Sequence, residues 1–230
     1  MRSTPAGVPL GSWRFVTITA LFVTTLVISN VIAVKLVGIG GRVFPAGLVI
    51  FPLSYLLGDV LTEVYGYAAA RAVIWLGFAC NLLAVGAIQA AIHLPAAGFY
   101  RPSEPAYDQT LGTTWRLFLA SLAAYVVGEF ANSFVLAKLK LATQGRFLWT
   151  RTIGSTVVGE GLDSLIFITA AFAGTGAPLG DPILTTWAIK VGWEAAATPL
   201  TYAIVNYLKR SEGVDAFDRE TDFSPVALGR

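Results

Sequence analysis

The chain has 230 residues, of which 55% are hydrophobic and 13% are charged, and its mean hydropathy is +0.67. Soluble domains carry roughly 25% charged residues, so the composition excludes an ordinary soluble domain and is typical of a polytopic membrane protein. The net charge of +2 is too small to indicate a nucleic-acid partner, and the single cysteine, Cys80, excludes an intramolecular disulfide.

The first segment, residues 1–14, is a short polar lead that we place in the cytoplasm. The run 15–34 that follows is uncharged and has the length of a transmembrane helix, with Asn30 near its end. It is too long for the hydrophobic region of a cleaved signal peptide, and no A-x-A site closes it. We therefore predict a first spanning helix here.

A hairpin signal follows the first predicted span. Gly40 and Gly41 lie between β-branched residues in VGIGGRVFP (residues 37–45), a pattern that favours a tight reversal and a small ribbon. The sequence therefore predicts a short hairpin between the first and second spans.

The segment 44–67, FPAGLVIFPLSYLLGDVLTEVYGY, is apolar and yet contains Asp59 and Glu63. Pro45 and Pro52 make its first half a poor regular helix, so we predict a helix over about 52–64. Irregular backbone at membrane depth survives only where it is buried in protein or lines a cavity. The segment therefore indicates a binding site.

Four more apolar stretches complete an all-α membrane protein with six transmembrane helices in one domain, residues 15–208. The polar segment 93–114 separates the third span from the fourth, and the charged tail 209–230 is expected to be cytoplasmic and poorly ordered. The four further spans are 72–92, 115–137, 152–172 and 184–208.

The distribution of Lys and Arg predicts the orientation of these spans. With six spans and the N-terminus inside, eleven basic residues fall in cytoplasmic segments and four outside, which the positive-inside rule favours. Both termini are therefore predicted to be cytoplasmic. The inner set is Arg2, Arg14, Arg71, Lys138, Lys140, Arg146, Arg151, Lys209, Arg210, Arg219 and Arg230; the outer set is Lys35, Arg42, Arg101 and Arg116.

Six acids and one lysine lie within the predicted spans. An ionisable group at the membrane centre costs on the order of 2.5–3.5 kcal/mol on insertion scales, so its default interpretation is functional. On four spans the polar residues are three or four positions apart and share a helix face. These pairs are Asp59/Glu63, Glu129/Asn132, Glu160/Asp163 and Lys190/Glu194.

The charges of these residues do not balance. We expect Lys190 and Glu194 to neutralise each other, whereas the other acids have no basic residue at the same predicted depth. Those acids must then be protonated, hydrogen-bonded, hydrated in a cavity or matched by a polar ligand. Each of these states is typical of a transporter, and acids that hold protons favour a proton-coupled mechanism.

Several of these residues also have structural interpretations. Asp59 could cap a proline-broken helix, and Glu63 could be a hydrated charge at a helix end. Glu129 and Asn132 could join helices through hydrogen bonds. Trp193 could be an interface anchor rather than a stacking surface.

The sequence does not favour an enzyme, a metal site or a cofactor. The single histidine excludes a two-histidine metal site, and neither a G-x-S-x-G elbow nor a P-loop occurs. Asp59 and Asp163 could form an intramembrane aspartyl pair, but Leu57 and Gly58 before Asp59 do not match the Gly-x-Gly-Asp pattern of those proteases.

Several segments resemble the queuosine precursor transporter family, once grouped under vitamin uptake transporters. They are NVIAVKLV (30–37), residues 44–67 quoted above, RAVIWLGF (71–78), GEFANSFVLAKLK (128–140) and GEGLDSLIF (159–167). The resemblance covers residues 15–208. It implies import of 7-cyano-7-deazaguanine, and of 7-aminomethyl-7-deazaguanine, across the bacterial inner membrane by one six-span protein without an ATPase.

A 7-deazaguanine presents N–H donors, a carbonyl and a flat ring, which carboxylates, amides and aromatic faces can bind. We predict that Asp163 and Asp59 contact the base, while Glu129, Lys190 and Glu194 order the cavity. The remaining candidates are the carboxylates Glu63 and Glu160, the amides Asn30, Asn81 and Asn132, and the rings Phe51, Tyr55 and Trp193.

Other functions stay open at this point. A substrate-binding subunit of an energy-coupling-factor vitamin transporter is also small and has six spans, but it needs an ATPase partner. An intramembrane aspartyl enzyme and a structural protein are further alternatives. Besides a small-molecule substrate and membrane lipids, a homodimer is a further partner hypothesis.

Overall fold

The computed structural model describes residues 12–39, 42–112, 115–174, 176 and 178–227, which contain seven α-helices, one short 3-10 helix and one two-stranded ribbon. Strand β1 (Leu36–Ile39) pairs antiparallel with β2 (Arg42–Pro45). The helices are α1 (Trp13–Ile32), α2 (Phe51–Tyr65), α3 (Tyr67–Ile92), α4 (Glu104–Leu111), α5 (Trp115–Ala142), α6 (Leu148–Phe172) and α7 (Gly180–Glu212).

The ribbon and α2 confirm the predictions for the segment after α1. The ribbon pairs Leu36 with Pro45 at its base, while Gly40 and Gly41, the predicted turn, lie outside the described residues. A short 3-10 helix, Ala46–Val49, then leads into α2. Pro52 occupies the first turn of α2, where a missing N–H costs little, so the helix can start at the proline.

The long helices run in alternating directions. This follows from contacts between the start of one helix and the end of another at a common end of the bundle. Ser12, just before α1, donates a hydrogen bond of 2.7 Å to Glu212 at the end of α7. The Tyr65 hydroxyl at the end of α2 donates to the same carboxylate over 2.7 Å. We call this the charged end, because Glu63, Lys140, Arg151, Lys209 and Glu212 lie there.

Among the described residues, four stretches are long and apolar enough to cross a membrane: Trp13–Ile32 (α1), Tyr67–Ile92 (α3), Leu148–Phe172 (α6) and the stretch Glu104–Ala142, which contains α4 and α5. By contrast, α2 has 15 residues. At 1.5 Å per residue it extends about 22 Å, less than the ~30 Å hydrocarbon core. The helical, multi-pass membrane character of the chain is confirmed, and the count of six spans stays a prediction.

Helix α2 lies at the centre of the bundle and packs against α1, α3, α5 and α7. All of its residues from 54 to 65 are buried, and Val60 and Val64 are fully inaccessible. This apolar packing explains how a short helix with two acids can be held inside a membrane protein, since its neighbours shield it from lipid.

Helices α5 and α6 form the most extensive interface, and two glycines make it possible. A Cβ at Gly159 would lie 2.6 Å from the Asn132 Cβ, and a Cβ at Gly128 would lie 2.9 Å from the Asp163 Cβ. The two backbones therefore touch, as small residues allow in membrane bundles. Asn132 lies level with Gly159 and Asp163 lies level with Gly128, so the two polar side chains are about one helical turn apart along this interface.

The expectation of a poorly ordered tail is wrong for its described part. Asp218 accepts two hydrogen bonds from the Tyr67 backbone N–H, at 3.1 and 3.0 Å, and so caps the start of α3. The Arg71 guanidinium donates to the carbonyls of Asp222 and Ser224, both at 2.8 Å. The described part of the tail therefore packs across the charged end, where it accepts hydrogen bonds from the first residues of α3.

The other differences concern helix boundaries. The loop predicted over 93–114 contains α4, a short helix whose apolar residues are too few to signal it. The helices α3, α5, α6 and α7 extend beyond the predicted spans through the charged residues that flank those spans, because a charge ends a hydrophobic run without ending a helix.

Candidate functional site

A buried ion pair joins α6 and α7 in the middle of the bundle. The Lys190 amino group lies 2.8 Å from a Glu160 carboxylate oxygen, and it donates a short hydrogen bond to Asp163. It also donates to the Tyr55 hydroxyl of α2 over 3.2 Å. Because all four side chains converge from three helices, Lys190 fixes the relative positions of α2, α6 and α7.

Two aromatic rings of α2 flank this ion pair. The Lys190 amino group lies 5.0 Å from the centre of the Phe51 ring and 5.5 Å from that of Tyr55. The two rings contact each other edge to face, with centroids 4.7 Å apart. A cation and two aromatic faces at this distance can hold a flat polar ring by stacking and charge.

Asp59 and Asn132 form a second polar contact, between α2 and α5. The Asn132 amide donates to one Asp59 oxygen over 2.6 Å, and both side chains are buried. The other Asp59 oxygen and the Asn132 carbonyl oxygen have no hydrogen-bond partner among the described residues. This pair therefore offers two free acceptors at the bundle centre.

Further buried polar atoms near this pair also lack partners within the described part of the chain. Both Glu129 oxygens, one Glu194 oxygen and the Ser164 hydroxyl are in this state. Glu194 acts electrostatically on Asp59, and Glu129 interacts with Glu160 and Asp163, so these acids share one neighbourhood. Buried polar groups are normally hydrogen-bonded, so this concentration indicates a place for a polar ligand or protons.

We call this neighbourhood the central site. It consists of Phe51, Tyr55, Asp59, Glu129, Asn132, Glu160, Asp163, Ser164, Lys190 and Glu194. The sequence predicted all of these residues except Ser164. Its signal was available, since Ser164 is four residues after Glu160 and shares the helix face that carries the acids.

The predicted pairing of Lys190 with Glu194 is wrong. Lys190 pairs with Glu160 and Asp163 of α6, while one Glu194 oxygen stays unpartnered within the described residues. Two carboxylates from α6 offer Lys190 more charge than the single acid on its own helix. Helical spacing predicts which residues share a face, but it does not show which face a neighbouring helix presents.

The prediction that Glu63 has no basic partner is also wrong, and the same correction applies to Glu160 and Asp163. Glu63 is fully buried at the charged end and accepts two hydrogen bonds from Arg151, at 2.7 and 2.8 Å. Lys209 donates to it over 2.6 Å, and Lys140 lies 3.5 Å away. Glu63 therefore belongs to an ion-pair network that joins four helices, apart from the central site.

The charge network continues into the tail through Asp215. Lys140 and Lys209 lie 2.6 and 2.8 Å from one Asp215 oxygen. Partial burial raises the pKa of Asp215, but the hydrogen bonds and charges of Lys140 and Lys209 outweigh it and hold that pKa below its usual range. The tail thus supplies a second anion for three cations.

Two other candidates lie away from the central site. Asn30 donates to the Asn81 side chain over 2.7 Å, and the Ser121 hydroxyl donates to Asn30 over 3.4 Å, so these residues link α1, α3 and α5. Trp193 is 48% exposed, which places its ring on the outside of the bundle. The position of Trp193 does not support a stacking contact with a ligand among the buried acids.

Two cavities of the structure lie elsewhere. A groove of about 810 Å³ runs between α1 and α7 near the charged end, beside Trp13, Arg14 and Tyr207. A pocket of about 270 Å³ lies under the loop between α3 and α4. In the described residues no group of three or more His, Cys, Asp or Glu is arranged to hold a metal ion.

The chain resembles known transport proteins over most of its length. A family described as "Putative vitamin uptake transporter" matches residues 45–204. A protein of Bacillus subtilis (strain 168) named "Probable queuosine precursor transporter" is 30% identical over 189 residues, which cover 81% of this chain and 82% of that protein. No solved structure matches the chain.

Proposed function

This chain belongs to the vitamin uptake transporter family, and from that premise we propose that it imports a queuosine precursor across the bacterial inner membrane. The substrate is a 7-deazaguanine base, 7-cyano-7-deazaguanine or its aminomethyl relative. The similar Bacillus subtilis protein carries a name of this kind, and membership of a transporter family makes the chain a transporter rather than an enzyme.

The observation that carries the proposal is the set of unpartnered acceptors around Asp59 and Asn132. The guanine edge of the base has an N–H and an amino group side by side, and one carboxylate can accept both. Asp59 is suited to this contact, because its second oxygen is free. The Asn132 amide can turn from Asp59 to the carbonyl of the base.

The ring of the base would lie against Phe51 and Tyr55, which already form one side of the central site. Asp163 would contact the opposite edge or a cationic aminomethyl group. Lys190 donates a hydrogen bond to Asp163 in the observed conformation. We therefore propose that substrate entry moves Lys190 away from Asp163 and toward Glu160. Transport by alternating access then exposes the central site to one side of the membrane at a time.

The proposed topology is six spans with both termini in the cytoplasm, the ribbon and α2 together forming the second pass. The charged end would face the cytoplasm, which agrees with the positive-inside rule. It can be tested in a Cys80→Ser background with a membrane-impermeant maleimide. Leu94→Cys should react in intact spheroplasts, and Val226→Cys only after permeabilisation; the reverse result would refute this topology.

We expect binding to be lost when the base contacts are neutralised. Asp59→Asn and Asp163→Asn should each lower the affinity for 7-cyano-7-deazaguanine about tenfold or more, since a hydrogen bond to a charged group contributes ~1.5–3 kcal/mol. The measurement is the ligand-dependent thermal shift of the purified protein, with guanine and adenine for comparison. Asp181→Asn, an exposed acid on α7, is the matched control.

Two results would contradict the proposal. If both variants bind like the parent, the base does not lie at the central site. If no deazaguanine shifts the unfolding temperature of the parent, the substrate class is wrong. Uptake by the purified protein alone in liposomes would separate this transporter from a subunit that depends on an ATPase.

Proton symport is the proposed driving force, since several buried acids have no basic partner among the described residues. Uptake in proteoliposomes should rise with an imposed inward proton gradient. Uptake that ignores a collapsed gradient would rule out this part of the proposal.

A further inference from the structure

Glu129 of α5 has an environment unlike that of the other acids in the central site. It is 3% exposed, and both of its carboxylate oxygens lack a hydrogen-bond partner among the described residues. One oxygen lies 3.2 Å from the position that a Cβ would take at Gly58, and the Phe22 ring lies 3.4 Å from the same point. The carboxyl therefore fits into a notch that α2 forms by having no side chain there.

The charges that face Glu129 do not balance its own. Glu160 and Asp163 face it from α6, and Asp59 and Tyr55 from α2. Tyr125 lies one turn from Glu129 on α5, and Cys80 of α3 is near Tyr125. The cation that acts on Glu129 is Lys190 of α7, which already contacts both acids of α6.

This arrangement determines which form of Glu129 is stable in the observed conformation. An ionised carboxylate buried without a partner costs several kcal/mol, and such a group binds a proton instead. If α2 and α5 were to separate, water would reach the carboxyl and stabilise the ionised form. The protonation of Glu129 is thus tied to the packing of the helix that carries Tyr55 and Asp59.

We propose that Glu129 is the proton-carrying residue of transport, an inference that rests on the proposed function. Its carboxylate binds a proton from the outer side of the membrane. The neutral carboxyl then packs against Gly58, as it does in the observed conformation. The proton then leaves from the same oxygen to the cytoplasm after the helices part. The proton is assigned to Glu129 rather than to Asp59, because Asp59 accepts a hydrogen bond from Asn132 and is the proposed contact of the base.

The experiment compares two transport modes of the purified protein in liposomes, with radiolabelled 7-cyano-7-deazaguanine as the probe. One mode is accumulation driven by an inward proton gradient; the other is exchange of labelled for unlabelled base without a gradient. Glu129→Gln keeps the shape of the neutral carboxyl but cannot release a proton, so the ratio of driven accumulation to exchange should fall at least tenfold relative to the parent.

Two further variants separate coupling from structure. Glu129→Asp keeps a titratable group one methylene shorter, and it should recover part of the driven accumulation. Glu220→Gln makes the same replacement at an exposed position of the tail and should behave like the parent in both modes.

Each remaining outcome has one meaning. Glu129→Gln that still accumulates base under the gradient would overturn the proposal. Glu129→Gln that folds but neither binds nor exchanges would make Glu129 a substrate contact and also overturn it. A parent that exchanges base but ignores the gradient would remove the coupling and leave the proposed substrate intact. A parent that neither binds nor exchanges would refute the proposed function itself.

Discussion

Lys190 holds two carboxylates of α6 at once, so its removal should unbalance the centre of the bundle. Lys190→Met would leave the buried Glu160 and the partly buried Asp163 without their cation. Breaking a buried pair by removing one partner costs about 3–5 kcal/mol, so the unfolding temperature in detergent should fall by several degrees.

A compensated variant isolates the electrostatic cause. Lys190→Met combined with Glu160→Gln and Asp163→Asn removes the excess negative charge and should recover most of the lost stability, but not base binding. An unchanged unfolding temperature of Lys190→Met would mean that the ion pair does not hold α6 to α7.

At the charged end, Asp215 makes stability depend on pH. Its pKa is lowered by the hydrogen bonds and charges of Lys140 and Lys209, which outweigh the opposing effect of partial burial. Its contribution is therefore complete above its unfolded pKa of about 3.9 and is lost as the pH falls through the lower folded value. Asp215→Asn should reduce the unfolding temperature at pH 7. The decrease in unfolding temperature between pH 5 and pH 3 should be smaller for this variant than for the parent.

The control for Asp215 is a tail acid without these lysines. Glu220→Asn changes an exposed position and should leave both the unfolding temperature and its pH profile unchanged. Parallel pH profiles for the parent and Asp215→Asn would argue that the two lysines do not stabilise the ionised carboxylate.

At the scale of elements, the contact of α5 with α6 sets the geometry of the central site. Gly159→Ala would place a methyl group 2.6 Å from the Asn132 Cβ and force the two backbones apart. Overpacking of this kind costs about 1–3 kcal/mol, and Asn132 would move away from Asp59. We expect lower stability and weaker base binding, measured by thermal unfolding with and without the base.

Gly192→Ala on α7 is the matched control, because a Cβ there meets no atom within 4 Å. This replacement should be neutral or stabilise the helix by up to ~1 kcal/mol. If Gly159→Ala behaves in the same way, the close approach of α5 and α6 is not needed for binding.

Sequence patterns predicted the helices and their polar faces, because both depend on local spacing. Glu160 and Asp163 do share one face, and Pro52 does lie in the first turn of α2, which begins at Phe51. The partners of each face were not predictable in this way, since Arg151 and Glu63 are 88 residues apart. The packing of the tail was not predictable either, because the charged composition of the tail resembles that of a disordered segment.

At the scale of the whole molecule, the tail packs across the charged end and contacts both α3 and α5 there. A chain stopped after Glu212 would lose Asp215, the Ala216 carbonyl that accepts from Lys140 over 2.7 Å, and the Asp218 cap of α3. We expect a lower unfolding temperature and easier access to α2 from this end. In a Cys80→Ser background, Val64→Cys should react with maleimide faster in the shortened chain.

Leu94→Cys provides the comparison, since that position is 67% exposed and belongs to the loop after α3. Its labelling rate should be the same with and without the tail. Equal rates for Val64→Cys in both chains would show that the tail does not cover the end of α2.

The ion pairs of Glu63 also constrain how the protein is made. During synthesis α2 emerges well before Arg151 and Lys209, and with 15 residues it is not among the four stretches of the described chain that are long and apolar enough to cross a membrane. Glu63 of α2 would then lack its cationic partners near the translocon until α6 and α7 have been synthesised. Biogenesis should accordingly end with the late insertion of an early segment, and ribosome-bound chains that stop short of α7 should leave α2 open to proteases.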